Sequence, residues 1–586
     1  MKEILKGIVS SCLGFFLAII GIFFLFLIIG SITLVSNKPK SDSGVLLLDI
    51  NKGIPELTGN EEISPFDLES EPSVGLRDIQ RLIDHAKTDE TVHGIMLYGA
   101  DVSLPPATLS IVREALLDFK TSGKPIFAYS DYYTQAGYHL ATAADSIFLN
   151  PNGAIDLKGF GVMIPFYKGL LDKMGITMNV FYAGNFKSAT EPFRRTDISE
   201  ENRLQTKEFL SDILEHLVED IALSRKLKKE KVHEIIETLA GRKADLAMES
   251  GLIDGITYQD QVDKKWKKAL GDKEAKLISL SKYALRNPAG LTVGQDRVAV
   301  VFAEGEIGYG ESKKGTISDK KYLQILKKVR EDDKVKAVVL RVNSPGGDAL
   351  TSDIIWREIE LLKEKGIPVY ASFGAYAASG GYYIAAGCDK IYAQENTLTG
   401  SIGVFSILPN ARKFFNDKLG ISFDTIKTHS NAVGISPFFD VNAKENEYMM
   451  EMTDHVYTTF MDRVATGRKL PIDTVKNIAQ GRVYSGKKAI KLGLVDEIGT
   501  LDDVIKAVAQ KAGLPDNYKV VNYPEVKENP FTEIVNMIRA ASEDDADESV
   551  KIFPTKVMET YGLFNQYHSI LKEDKPQARL PFVLQN

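Results

Sequence analysis

Cysteine is nearly absent. Only Cys12 and Cys388 occur among 586 residues. They lie far apart in sequence, so the fold does not rest on disulfides. Scarce cysteine suits a reducing compartment and an envelope protein alike. A strong charge of either sign is also lacking, since the formal net charge is −7. That mild acidity gives no reason to expect nucleic acid as a partner. No charged residue occurs between Lys6 and Lys38, and Leu13–Val35 is dominated by Leu, Ile, Phe and Val. A helix of ~20 such residues spans a bilayer core. Leu34-Val35-Ser36-Asn37 offers no small-residue cleavage site, so a retained membrane anchor is expected rather than a removed leader. Lys2 and Lys6 favour an inside N-terminus, although Lys38 and Lys40 weaken the asymmetry.

Beyond the linker Ser36–Ser43, short apolar runs alternate with helical patterns, which predicts α/β units. Strands are expected at Val45–Ile50, Gly94–Tyr98 and Pro125–Tyr129, with a helix over Ala107–Thr121. The plan returns from Val298. Strands are expected at Val298–Ala303, Ala337–Val342 and Pro368–Ser372, and helices at Asp319–Arg330 and Thr351–Lys365. The halves overlay. Ala144-Asp145-Ser146-Ile147 matches Cys388-Asp389-Lys390-Ile391 at an offset of 244 (389 minus 145). Gly251-Leu252-Ile253-Asp254 matches Gly493-Leu494-Val495-Asp496 at 242 (493 minus 251). A near-constant offset over more than a hundred residues points to a duplicated domain. The expected divisions are an anchor and linker at 1–43, a first repeat at 44–263, a connection at 264–297, a second repeat at 298–522 and a C-terminal extension at 523–586. The acidic run Glu543–Glu548 reads as a solvated stretch.

Two strings in the second half suit chemistry. Ala377-Ala378-Ser379-Gly380-Gly381-Tyr382 puts a serine among small residues at a strand-to-helix junction. Ser344-Pro345-Gly346-Gly347-Asp348 follows a strand, where glycines can turn backbone N–H groups toward an oxyanion. Either string alone also suits an ordinary tight turn. The offset of 244 sets Ser379 against Gln135, and the Gly346-Gly347 turn against Ala100–Leu104. The first half thus lacks both features together, which a purely structural role does not predict. A serine hydroxyl needs a base. No histidine follows Ser379 until His429, so a Ser-His-Asp arrangement is unsupported, though sequence distance does not exclude it. A buried, neutral lysine can substitute, and Lys187 sits among small and aromatic residues. Composition alone does not single it out.

Phe186-Lys187-Ser188-Ala189-Thr190-Glu191-Pro192-Phe193 resembles the base-bearing motif of the long form of the signal peptide peptidase A (protease IV) family. Ala377–Tyr382 resembles its nucleophile motif, and Ser344–Gly347 and Leu398-Thr399-Gly400-Ser401-Ile402-Gly403 also match. The resemblance covers roughly Val45 to Gln510 and the anchor. It implies Ser379 as nucleophile, Lys187 as general base, Gly346 and Gly380 as oxyanion-hole donors, and Ser401 as a residue orienting the lysine. It implies two tandem Clp protease/crotonase-like domains of repeated β-β-α spiral units, behind a transmembrane helix. It also implies a homotetramer, no cofactor or metal, and peptide substrates such as remnant signal peptides. The expected location is the bacterial inner membrane, with the catalytic region outside the cytoplasm. Two other readings stay open. A crotonase-like acyl-CoA enzyme shares the fold and glycine turn but has no need of Ser379. A non-catalytic envelope scaffold would take no covalent label.

Overall fold

A computed structural model describes residues 43–49, 53–59, 73–99, 102–271, 276–287, 294–310, 315–525 and 577–579. The expected anchor, the acidic run and most of the C-terminal extension lie outside these residues. Among the described residues, no helix is long and apolar enough to cross a membrane.

The first half builds one six-stranded sheet. Its strands are β1 (Gly44–Leu48), β2 (Val92–Tyr98), β3 (Ile126–Tyr133), β4 (Ser146–Ile155), β6 (Gly255–Ile256) and β7 (Lys276–Ser279), in the order β6-β4-β3-β2-β1-β7. Every pairing in it is parallel. Helices cross over between successive strands, as parallel pairing requires. Pro106–Lys120 is one of them, ending within a residue of its sequence expectation. The segment expected to be a connection at 264–297 instead adds β7 and the helix Leu280–Arg286 to this half. Its Lys-rich start is the outer face of the helix Gln259–Ala269, which buries Val262 and Trp266 one turn apart.

The second half repeats the scheme. β8 (Arg297–Glu304), β11 (Val335–Ser344), β13 (Val369–Ala378), β15 (Leu398–Gly400), β17 (Val483–Ser485) and β19 (Lys519–Tyr523) run in the order β17-β15-β13-β11-β8-β19. β14 (Lys390–Ala393) and β18 (Glu497–Ile498) join its flank. Strand β8 shows why its pattern is a continuous apolar run. Ala299, Val301 and Ala303 enter the core on one face, and Val298, Val300 and Phe302 the core on the other. Sheets covered on both faces read this way.

The duplication is visible in individual bonds. Tyr138 Oη donates to the Leu252 carbonyl at 2.8 Å, and Tyr382 Oη to that of Leu494 at 2.8 Å. The Asp254 carboxylate accepts from Ile147 N–H at 2.8 Å, and that of Asp496 from Ile391 N–H at 2.7 Å.

A third sheet joins the halves. β5 (Thr177–Ala183) of the first half pairs antiparallel with β16 (Val404–Asn410) of the second, from Val404 opposite Ala183 to Asn410 opposite Thr177. The full order is β10-β9-β12-β20-β16-β5, with β9 (Glu306–Gly308), β10 (Thr316–Ser318), β12 (Gly346–Asp348) and β20 (Gln577–Arg579). A buried ion pair also links the halves. Arg341 Nε lies 2.9 Å from Glu56 Oε2, and Arg341 Nη1 donates to Ser372 Oγ and the Phe373 carbonyl at 2.9 and 2.8 Å. Glu56 explains Gly374 as well: a Cβ there would lie 2.6 Å from the carboxylate.

Candidate active site

Strand β13 runs on through Gly374–Ala378, beyond the Ser372 end expected from the apolar pattern, and stops directly at Ser379. The helix Gly380–Ala385 starts at the next residue. Ser379 makes this reversal with φ 56° and ψ −119°. Such a positive φ is costly for a residue with a Cβ, and it persists only where neighbours hold it. Here the Ser379 N–H donates to the Gly400 carbonyl at 2.8 Å, and the Tyr383 N–H to the Ser379 carbonyl at 2.9 Å. Gly381 is needed because Ser344 packs against the helix start: a Cβ would lie 2.7 Å from its carbonyl oxygen.

Lys187 arrives from the other half, just beyond β5. Its Nζ lies 2.7 Å from Ser379 Oγ, 3.0 Å from Ser401 Oγ and 3.3 Å from the Ser401 carbonyl. Ser401 itself has φ 51°, and its N–H donates to the Arg482 carbonyl at 2.7 Å. Lys187 is 1% exposed and Ser379 0%. Burial pushes the Lys187 pKa well below the usual lysine range, and no carboxylate opposes the shift. Burial thus favours the neutral amine over the ammonium. The Phe405 ring, 5.9 Å away, supplies part of that apolar wall.

The structure brings Ser379, Lys187, Ser401 and Gly380 together. Gly346 stands at the start of β12, just after Ser344, which pairs with Ala377. Its N–H donates to Ser344 Oγ at 3.2 Å, a long local bond. The glycine pair has a packing reason too. Gly346 has φ 103°, and a Cβ on Gly347 would lie 1.9 Å from the Ile307 carbonyl oxygen.

Other residues position the lysine loop, and only Glu191 among them lies within a quoted motif. Gln205, on the helix Glu200–Arg225, donates to the Phe186 carbonyl and to Ser188 Oγ, both at 3.0 Å. Its Oε1 accepts from the Val483 N–H at 3.1 Å, so one amide clamps the lysine loop to the second half. The buried Glu191 carboxylate accepts from Ser199 Oγ and from Asn202 Nδ2, fixing the chain just after the loop. Gly481 lies against the lysine backbone. A Cβ there would sit 2.7 Å from Lys187 Cβ and 2.8 Å from its N, and its φ is 73°. Gly481→Ala is expected to displace the amine and lower kcat/KM ~10²-fold, the usual effect of an ~1 Å misplacement. Peptide hydrolysis measures this, with circular dichroism showing an intact fold.

The sequence profile of peptidase family S49 matches residues 118–273 and 361–515, one copy in each half. The chain belongs to peptidase family S49. It is a serine peptidase with two S49 domains, Lys187 lying in the first matched stretch and Ser379 in the second. Protease 4 of Haemophilus influenzae is 34% identical over 514 residues, 83% of each chain. A protein named putative signal peptide peptidase SppA, from Enterococcus faecium, is 41% identical over 195 residues, 33% of this S49 peptidase and 56% of that protein. Among solved structures, ClpP1 from Listeria monocytogenes matches 35% of this chain and 94% of its own, at 17% identity and a TM-score of 0.23.

Proposed function

We propose that this S49 peptidase cuts peptide bonds with a Ser379–Lys187 dyad. The carrying observation is the 2.7 Å separation of Lys187 Nζ and Ser379 Oγ inside a fully buried setting. Neutral Lys187 takes the Ser379 proton as Oγ attacks the substrate carbonyl. The resulting ammonium passes that proton to the departing amine nitrogen, leaving an acyl-enzyme. Water then attacks the ester carbon, with Lys187 again as base, and Ser379 is regenerated. The backbone N–H groups of Gly346 and Gly380 hold the oxyanion. One such donor is worth ~3 kcal/mol of barrier. To reach Gly346, the oxyanion replaces the bond to Ser344 Oγ. Ser401 steers the amine toward Ser379.

The two S49 domains are, in this reading, Clp protease/crotonase-like repeats. The substrates are apolar peptides, remnant signal peptides among them. The name of the Enterococcus relative supports this. The run Leu13–Val35 anchors the chain in the bacterial inner membrane, with the catalytic region outside the cytoplasm. The protein assembles as a homotetramer, for which exposed Leu419, Ile421 and Ile426 offer apolar surface.

Covalent labelling tests the nucleophile. A serine-reactive electrophile is expected to modify Ser379, identified by peptide mass spectrometry, and to leave the Ser379→Ala chain unlabelled. Label on a different serine, with hydrolysis persisting in Ser379→Ala, would sink the assignment.

A further inference from the structure

The turn that carries Gly481 sits between the halves and touches both. Gln480 has φ 53°, unusual for a residue with a Cβ, and Gly481 follows at 73°. Such a conformation persists only where contacts fix it. The Phe186 N–H donates to the Gln480 carbonyl at 2.8 Å, and the Gly481 N–H to the Ile402 carbonyl at 2.7 Å. The Arg482 carbonyl accepts from Ser401. One turn therefore holds the residue before the lysine and the residue that bonds its amine. The Arg482 side chain then closes over the lysine loop. Its guanidinium carbon lies 4.7 Å from the centre of the Phe186 ring and 5.6 Å from that of Tyr484. Its Nη2 lies 2.6 Å from Glu208 Oε2, on the helix Glu200–Arg225 of the first half.

The first half keeps the same step, Gly241-Arg242, at an offset of 240 (481 minus 241), and Leu239 before it also has a positive φ of 51°. There the arginine does something else. Arg242 is exposed, and its Nη1 turns back to the Thr238 and Leu239 carbonyls at 2.6 and 3.1 Å. Both copies have the turn. Only the copy with the nucleophile sends the guanidinium across to a ring and a carboxylate of the other half. The side chains of Arg482 and Glu208 are 23% and 44% exposed, and an ion pair so open to water adds little to stability. A flat cation over a ring, by contrast, fixes orientation as well as distance.

We propose that Arg482 is a positioning residue for the general base: held by Glu208, it presses Phe186 against the second half and so seats the Lys187 amine, one residue on, beside Ser379. The inference rests on the reading of Lys187 and Ser379 as the dyad. Burial alone lowers the Lys187 pKa, so whatever loosens its loop lets water in and returns the proton to the amine.

Arg482→Gln in the full chain provides the test. At neutral pH, kcat for a fluorogenic peptide is expected to fall at least ~10-fold with KM within ~2-fold, since the interaction lost belongs to the base. The acid limb of the pH profile moves to higher pH, a change that a mere loss of folded protein does not produce. Arg242→Gln, the control from the other copy, keeps the parent's kcat and profile. A second measurement needs no catalysis. Ser379→Ala chains are treated with acetic anhydride at pH ~10, where the lowered amine is deprotonated. Lys187 is expected to be acetylated at least ~5-fold faster once Arg482→Gln is added, as read by peptide mass spectrometry. Should Arg482→Gln not fold, Glu208→Gln breaks the same pair at an exposed side chain and is expected to move all three readouts in the same direction. An unmoved acid limb with equal acetylation overturns the proposal, whatever kcat does, and so does an equal loss in Arg242→Gln. If no chain hydrolyses peptide but the acetylation difference holds, the dyad reading fails and the seating of the amine by Arg482 stands.

Discussion

Lys187→Met is expected to hydrolyse peptide at least ~10³-fold more slowly than the parent chain, because among the described residues Lys187 is the base that bonds the Ser379 hydroxyl. The pH profile carries the mechanism. Burial lowers the Lys187 pKa well below its ordinary value, so the parent's kcat/KM rises with pH through that lowered value and falls on the acid side. Residual Lys187→Met activity lacks this limb. The variant's stability should move opposite to its activity. The unfolded chain carries a protonated lysine, whereas the folded chain holds it neutral. Folding therefore releases a proton at every pH between the lowered folded pKa and the unfolded value of ~10.4. Stability rises with pH across that window, and the burden is greatest at its acid end. Methionine carries no such burden. Thermal unfolding is expected to show Lys187→Met at least as stable as the parent at neutral pH, with any advantage shrinking toward the unfolded-state value of ~10.4. A variant that loses activity by unfolding would show the opposite. Retention of most activity would remove Lys187 from the mechanism.

Glu56→Ala loses ~3–5 kcal/mol of stability, the usual cost of leaving one member of a buried ion pair uncompensated. The pair is 2% and 4% exposed at its side chains, and Arg341 keeps only Ser372 and the Phe373 carbonyl as partners. Denaturant unfolding measures the loss. Glu56→Leu combined with Arg341→Met should recover much of it, because no buried charge then remains. The Glu56→Ala chain is also expected to lose activity at temperatures where it is still folded. Arg341 lies on β11 and bonds β13, and β13 delivers Ser379. If Glu56→Ala and Arg341→Met each unfold like the parent, the pair does not hold the halves as described.

The duplicated architecture was legible because it repeats. The 109-residue spacing between Asp145 and Asp254 returns as 107 between Asp389 and Asp496, and in each half the second aspartate accepts from the strand residue two beyond the first. Strands buried on both faces were equally plain as apolar runs. The course of Gly374–Ala378 was not, since small residues suit a turn as well as a crowded strand, and only the packed Glu56 reveals which. The segment 264–297 misled for a related reason. Its lysines mark an outer helix face, and apolar positions one turn apart mark the buried one. The meeting of Lys187 with Ser379 could not be read from spacing. The two lie 192 residues apart, and the β5–β16 ladder that joins them is a nonlocal pairing. Family resemblance supplied that link. Gln205 and Gly481 stayed hidden because each acts across a long sequence separation and belongs to no motif, whereas Glu191 lay inside the lysine motif with no role of its own assigned.

The β5–β16 ladder has a consequence for the newborn chain. Synthesis delivers the amine first and the hydroxyl almost two hundred residues later, and their carriers meet only when β16 has been made and has docked on β5. A nascent or half-folded molecule thus holds an amine with nothing to activate, or a hydroxyl with nothing to activate it. With the dyad acting as proposed, proteolytic competence is a property of the finished architecture.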